Sequence, residues 1–196
     1  MCTWAPSYGP TPVPEDEEPG LEGKDFYSPE RATFASGMHA VIVETDPETA
    51  EITILKYAVV HDCGRLINPM IVEGQIHGGL ALGLGQALFE RCTHDDAGQL
   101  VSGSFMDYAV ARADDLPLFI TECDESQPCT HNPLGAKGCG EAGSIGAPAA
   151  VVSAALDALA GLGVTDLEMP ITSEQIWRRI GEARGKSSSF RVTPGQ

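Results

Sequence analysis

Apolar and polar positions divide the middle of the chain into strands separated by turns. Residues 38–46 (MHAVIVETD) predict one strand, and residues 51–62 (EITILKYAVVHD) predict a second, in whose first half apolar and polar positions alternate. Residues 46–49 (DPET) between them have the composition of a turn, so the pattern predicts a β-hairpin. Residues 118–124 (LFITECD) predict a third strand.

Three other segments carry the signals of helices. Asn68 followed by Pro69 predicts a helix start, and that helix is expected over residues 69–90. Residues 147–162, rich in alanine and valine, predict a second helix, and residues 173–183 predict a third with a Glu/Gln-rich first turn. Strands and helices in this mixed order predict a fold of the α+β class.

The first predicted helix is unusually rich in glycine. Each glycine in a helix costs about 1 kcal/mol relative to alanine, and this segment has five: Gly74, Gly78, Gly79, Gly83 and Gly85. Close approach of another backbone or of a ligand would explain them, and so would a break in the helix near Gly74. The sequence leaves these explanations open.

Composition separates the N-terminal segment from the rest. Residues 1–30 are rich in proline, glycine and acidic side chains, which predicts a flexible arm that buries no core. Residues 31–196 are then expected to form one domain, with residues 91–117 irregular and a long loop over residues 125–146.

The net charge of the chain argues against some classes of binding partner. Its 28 acidic and 12 basic residues give a formal net charge of −16, which argues against binding to nucleic acid or to an anionic membrane. The most apolar predicted helical segment, residues 76–89, is too short to span a membrane, and no secretory leader is recognised. We therefore expect a cytoplasmic location, with the six cysteines as free thiols. No C-x-x-C pair occurs, so no metal site built from side chains of this chain is expected.

A glycine-rich stretch, GAKGCGEAG at residues 135–143, holds the carboxylate of Glu141 and has three interpretations. Residues 138–143 fit the G-x-G-x-x-G dinucleotide pattern, but a turn precedes them instead of a strand, and the expected later acid falls in a predicted helix. The stretch could also be a tight turn before a helix with Glu141 idle. In the third interpretation, bare backbone approaches a bulky ligand and Glu141 serves as a general base.

Two longer stretches resemble a known family. VHDCGRLINPMIVEGQIHGGLALGLGQALFE (residues 60–90) and NPLGAKGCGEAGSIGAPAAVVSAALDAL (residues 132–159) are similar, in order and separation, to signature regions of the xanthine dehydrogenase family of molybdenum hydroxylases. That family includes aldehyde oxidases and aerobic carbon monoxide dehydrogenases. The resemblance is to the C-terminal part of the molybdopterin-binding large subunit, and it implies a mixed sheet with packed helices, as in the second molybdopterin-binding domain.

The resemblance also implies a cofactor and a site. The expected cofactor is Mo-molybdopterin, in bacteria usually the cytosine dinucleotide form, used for oxidative hydroxylation of an aldehyde, an N-heterocycle or carbon monoxide. Glu141 matches the family's catalytic general base, and Gln75 matches a glutamine that hydrogen-bonds near the molybdopterin. The loop expected to bind along the cofactor matches Lys137, Gly138, Cys139 and Gly140.

The family's large subunit is several times longer than this chain, so the expected partners are the rest of that subunit and separate FAD-binding and [2Fe-2S] subunits. A small molecule is the expected substrate. Two alternatives stay open: a truncated chain with no activity alone, and a stand-alone binding module that keeps the fold without catalysis.

Overall fold

The computed structural model describes residues 26–28 and 31–189. The elements follow one another in the order β1 (Ser36–Thr45), β2 (Ile52–Asp62), α1 (Pro69–Leu88), β3 (Phe119–Cys123), α2 (Ala142–Leu159) and α3 (Ser173–Ser189). All of them belong to the unit that begins at Ala32. The arm predicted for residues 1–30 falls almost wholly outside the described residues, so its flexibility stays a prediction.

The three strands form one mixed sheet in the order β1-β2-β3. β1 and β2 pair antiparallel, which confirms the predicted hairpin, and β3 pairs parallel to β2. In the turn, the Asp46 side chain accepts a hydrogen bond from the Glu48 N–H at 2.8 Å, and the Asp46 carbonyl accepts one from Ala50 at 2.7 Å. A parallel pair needs a crossover connection, and α1 supplies it between β2 and β3.

Helix α1 begins as the sequence predicts. The Asn68 side chain accepts a hydrogen bond from the Ile71 N–H at 3.2 Å, and Pro69 occupies the first turn, where its missing N–H costs nothing. The helix then runs without interruption to Leu88, so the break considered near Gly74 does not occur.

The core lies between the inner face of the sheet and helices α1, α2 and α3. Burying an aliphatic or aromatic side chain of this size stabilises the fold by about 1.5–3 kcal/mol. The largest fully buried side chains are Tyr57, Val59, Ile76, Leu80, Leu84, Val151, Leu159 and Ile176.

Two glycines of α1 let its backbone touch that of α2. A β-carbon placed on Gly79 would lie 2.9 Å from the Gly143 Cα, and one placed on Gly143 would lie 2.4 Å from the Ile76 carbonyl oxygen. A β-carbon placed on Gly83 would lie 2.7 Å from the Ala147 Cβ. Close backbone approach therefore explains these glycines, because any side chain here would push the helices apart.

Helix α2 starts at Ala142, and the predicted start at residue 147 was five residues too late. Gly143, Gly146 and Pro148 weaken the local helical signal, but packing on α1 and β1 overrides it. The predicted end of the last helix was also too early, because α3 extends to Ser189 and not to residue 183.

Residues Ala142–Leu162 are long and apolar enough to cross a membrane by length and composition alone, with a mean hydropathy of 1.7. The sequence expectation that residues 76–89 are the most apolar helical segment was therefore wrong. One side of this helix, with Val151 and Leu159, is nevertheless part of the protein core, as expected of an ordinary packed helix.

Candidate functional site

Glu141 occupies the N-cap position of α2. Its backbone has φ −109° and ψ 0°, and its side chain makes no capping hydrogen bond. Its carbonyl oxygen accepts hydrogen bonds from the Ser144 and Ile145 N–H groups at 3.1 and 3.3 Å. The carboxylate is exposed, so the backbone of Glu141 belongs to the helix start while the side chain stays available for chemistry.

An open cleft of about 530 Å³ lies beside this residue. The start of β1, the end of β2 and the glycine-rich loop form its walls, among them Phe34, His39, His61, Gly138, Gly140 and Glu141. The cleft thus places the predicted catalytic carboxylate next to two of the predicted cofactor-binding glycines.

The loop and helix α1 meet at the side chain of Gln75. A β-carbon placed on Gly140 would lie 3.9 Å from the Gln75 Oε1, and one placed on Gly138 would meet nothing within 4 Å. The bare backbone of both glycines therefore faces open space, with an exposed amide beside it. Open space above bare backbone, with a side-chain amide beside it, is a surface on which a large flat ligand can lie.

Cys139 turns toward the protein interior. Burial, together with the neighbouring Cys139 and Cys123 thiols, raises the pKa of the Cys63 thiol to about 11. The half-buried Cys139 side chain thus lies beside the Cys63 thiol. The five cysteines within the described part of the chain are free thiols, as expected, and Cys2 lies outside it. Within the same part, no group of three or more His, Cys, Asp or Glu side chains could hold a metal ion.

Lys137 has a partner that the sequence did not suggest. Its Nζ lies 2.5 Å from the Asp62 Oδ2, and the two side chains are only 13% and 14% exposed. Asp62 also accepts a hydrogen bond from the Gly64 N–H at 2.9 Å. The Lys137 ammonium and the Gly64 amide together hold the pKa of the Asp62 carboxyl below its usual range. The ammonium is thus engaged within the protein and does not face the cleft as a free cation.

Two histidines at the back of the cleft were also missed. His39 and His61 occupy inward positions of β1 and β2, and the His39 Nδ1 lies 2.8 Å from the Tyr57 hydroxyl. Burial lowers the pKa of both rings, and for His39 the neighbouring His61 lowers it further. One signal in the sequence could have pointed to these histidines. Each occupies a core-facing position of its strand, where apolar side chains are usual and a polar ring is uncommon.

Comparison with known proteins places this fold in a family. The profile of the molybdopterin cofactor-binding domain matches residues 4–117. The nicotine 6-hydroxylase large subunit of Paenarthrobacter nicotinovorans is 44% identical over 84% of this chain and 20% of its own length. The carbon monoxide dehydrogenase large chain of Hydrogenophaga pseudoflava is 38% identical over 86% of this chain and 21% of its own.

A solved structure shows the same arrangement of elements. Quinoline 2-oxidoreductase from Pseudomonas putida 86 superimposes with a TM-score of 0.79 at 45% identity, covering 87% of this chain and 22% of the larger one. The chain therefore belongs to the molybdopterin cofactor-binding domain family and resembles part of the large subunit of a molybdenum hydroxylase. It spans about a fifth of the length of the curated relatives it matches. The predicted family and the predicted α+β fold are confirmed.

Proposed function

We propose that this chain supplies the general-base glutamate, Glu141, and part of the molybdopterin site of a molybdenum hydroxylase. The observation that carries the proposal is the position of the Gln75 amide, from α1, beside Gly140, in the exposed glycine-rich segment that ends at Glu141. These residues are far apart in sequence, and the fold brings them to one open surface. The substrate class proposed is an aldehyde, an N-heterocycle or carbon monoxide.

The residues that would hold the cofactor offer either a polar side chain or, at the glycines, a backbone without a side chain. Gln75 would hydrogen-bond through its amide, and the segment from Gly138 to Gly140 would lie against the pterin through its backbone. Lys137 would contribute through its position in the same loop, since its ammonium is bonded to Asp62. A bound Mo-molybdopterin, proposed as the cytosine dinucleotide form, would supply the two-electron redox chemistry.

Glu141 would act as the general base of the reaction. Its carboxylate would accept a proton from the oxygen nucleophile that attacks the substrate carbon, a role that requires hydrogen-bond reach of that oxygen. In this chain the carboxylate is exposed to water. We therefore propose that the rest of the large subunit covers it, and that the chain by itself has no turnover. The alternative function is a fragment without catalysis of its own.

The names of the relatives that the chain matches support a proposal of further subunits. Two of them are named as large subunits or chains, and another as subunit gamma of a dehydrogenase complex in P. nicotinovorans. We propose FAD-binding and [2Fe-2S] subunits as partners that would carry electrons away from the site, and a cytoplasmic location for the complex.

The test is the variant Glu141→Gln in the assembled enzyme. Loss of the base should lower kcat by about 10²–10⁴-fold, because this is the usual contribution of general acid–base catalysis. The molybdenum content, measured by elemental analysis, should stay unchanged, since an amide of the same size leaves the Gly138–Gly140 backbone in place.

Glu48→Gln, at an exposed glutamate in the turn between β1 and β2, is the matched control and should leave kcat unchanged. Turnover of Glu141→Gln within a few-fold of the unsubstituted enzyme would refute the base assignment. A complex that contains this chain but no molybdenum would refute the cofactor site itself.

A further inference from the structure

The glycine-rich loop is fixed to the end of β2 by backbone hydrogen bonds. The Lys137 N–H donates to the Cys63 carbonyl at 2.8 Å, and the Arg65 N–H donates to the Gly135 carbonyl at 2.9 Å. Gly64, with φ 62°, allows this contact, since a β-carbon there would lie 2.2 Å from the Gly135 oxygen. These contacts fix the backbone of the loop as far as Lys137.

The ion pair between Lys137 and Asp62 closes the same junction through side chains. Asp62 is the last residue of β2, held in the sheet on one side and by the Gly64 N–H on the other. Its contact with the Lys137 Nζ is short, at 2.5 Å, and largely shielded from water. A shielded charge pair interacts more strongly than an exposed one, and removal of one partner leaves the other charge unpaired.

A second fixed point lies just beyond Glu141. Gly143 is wedged against α1, where its Cα lies next to Gly79. Between the two fixed points the chain contains Gly138 and Gly140, which by themselves allow many backbone conformations. The direction of Glu141 therefore depends on how firmly each end of this short segment is held.

We infer that Asp62 and Lys137 form a positioning pair, which holds the loop so that the Glu141 carboxylate stays at a fixed place beside the cofactor-binding backbone. The inference rests on the proposed function of Glu141. It assigns Asp62 a role in the reaction without contact with the reacting atoms. It also assigns Lys137 a role in holding the loop, separate from the cofactor contact that the resemblance implies. A misplaced general base loses rate because proton transfer requires hydrogen-bond distance.

Amide hydrogen exchange in the assembled enzyme tests the positioning without reference to turnover. In Asp62→Asn and in Lys137→Met, the hydrogen-bonded amides of the loop and its anchor, those of Arg65, Lys137 and Ala142, should exchange at least about tenfold faster, the effect of losing a charge-assisted hydrogen bond. Amides in the middle of α1 should not change. The double variant should exchange no faster than the single ones, because both substitutions remove the same interaction and the double leaves no unpaired charge.

The matched control is Asp166→Asn, which removes a partner of Arg179 from an ion pair whose carboxylate is 70% exposed. It should leave loop exchange and turnover unchanged. Lys137→Arg keeps the charge and should restore slow exchange, which separates loss of the pair from a general failure to fold. Loop exchange within about twofold of the unsubstituted enzyme in both single variants would overturn the inference.

Turnover gives the second readout. Lys137→Met should lower kcat at least about tenfold with little change in KM and with molybdenum retained. In the Glu141→Gln background the same substitution should cause no further loss, because the base it positions is already gone. Additive losses, or loss of molybdenum together with kcat, would overturn the positioning role. If Glu141→Gln alone keeps its turnover, the proposed function fails while the exchange result still decides whether the pair holds the loop.

Discussion

Glycine serves two different purposes in this chain, and the structure separates them residue by residue. Gly79 and Gly143 lie in the contact between α1 and α2, where there is no space for a side chain. Gly138 and Gly140 lie on the open surface beside Glu141, where their value is the bare backbone that they expose. The same residue type therefore marks a structural contact in one place and a proposed ligand surface in another.

Gly79→Ala should destabilise the fold by about 1–3 kcal/mol, because the new methyl group meets backbone atoms of α2 that cannot easily move. Gly78→Ala, at the preceding residue, is the matched control, because a β-carbon there meets nothing within 4 Å. It should raise the free energy of unfolding by up to about 1 kcal/mol through the better helix propensity of alanine. Urea unfolding of both variants checks the pair, and equal effects would contradict the proposed helix contact.

At the scale of elements, β1, β2 and α2 meet at a pair of histidines, the half-buried His39 and the buried His61. The His39 ring contacts the Tyr57 and His61 rings edge to face, with centroids 5.9 and 5.2 Å apart. A β-carbon on Gly146 of α2 would lie 2.6 Å from the His39 ring. Protonation of either ring would place a charge between packed elements, so this junction is sensitive to acid.

The free energy of unfolding should fall as the pH decreases from about 7 to 5. His39 and His61 have pKa values below the ordinary 6.5. Below that value the unfolded chain binds protons that the folded chain resists, and stability falls by at most about 1.4 kcal/mol per pH unit for each histidine. Asp62 has a lowered pKa, so its contribution is lost only in more acidic solution, below about pH 4.

Urea unfolding at several pH values measures this slope. His61→Gln should make the slope shallower between pH 7 and 5, whatever its effect on overall stability, because one of the two resisting groups is gone. His94→Gln, at an exposed position, serves as the control and should keep the original slope. An unchanged slope in His61→Gln would show that this ring does not govern the acid sensitivity.

Local signals predicted most elements because caps and turns depend on neighbouring residues. The DPET turn, the Asn68 cap and the apolar strand patterns each act within a few residues, and all three are present in the structure. The start of α2 escaped prediction because glycine and proline disfavour a helix locally, while contact with α1 stabilises it.

At the scale of the whole molecule, the outer face of the sheet carries uncovered apolar side chains. Met38, Ile42 and Ile120 are 73%, 55% and 56% exposed, and they extend over β1 and β3. Exposed apolar groups clustered on one face mark an interaction surface. This agrees with a chain that spans only about a fifth of the length of its curated relatives.

The chain by itself should therefore self-associate as its concentration rises. Ile42→Lys combined with Ile120→Lys should lower the average mass measured by analytical ultracentrifugation, because the charges make burial of this face unfavourable. The free energy of unfolding should change by no more than about 0.5 kcal/mol, as for other exposed positions. Leu82→Lys, an exposed position on α1, is the control, and an equal decrease in mass there would show that the sheet face is not the contact.

The amino-acid sequence by itself determined the hairpin and the start of α1, which depend on residues within a short stretch, and the α+β class, which follows from the order of the elements along the chain. Glu141 became the catalytic candidate through the resemblance of two longer stretches to a family, because the residues around it left three interpretations open. Only the tertiary structure decided that Lys137 binds Asp62, that Gln75 lies beside Gly140 and that Gly79 meets Gly143. These partners are far apart in sequence, and no local preference of the chain encodes which distant residues will meet. They become neighbours because burial of the shared core brings α1, α2 and the sheet together.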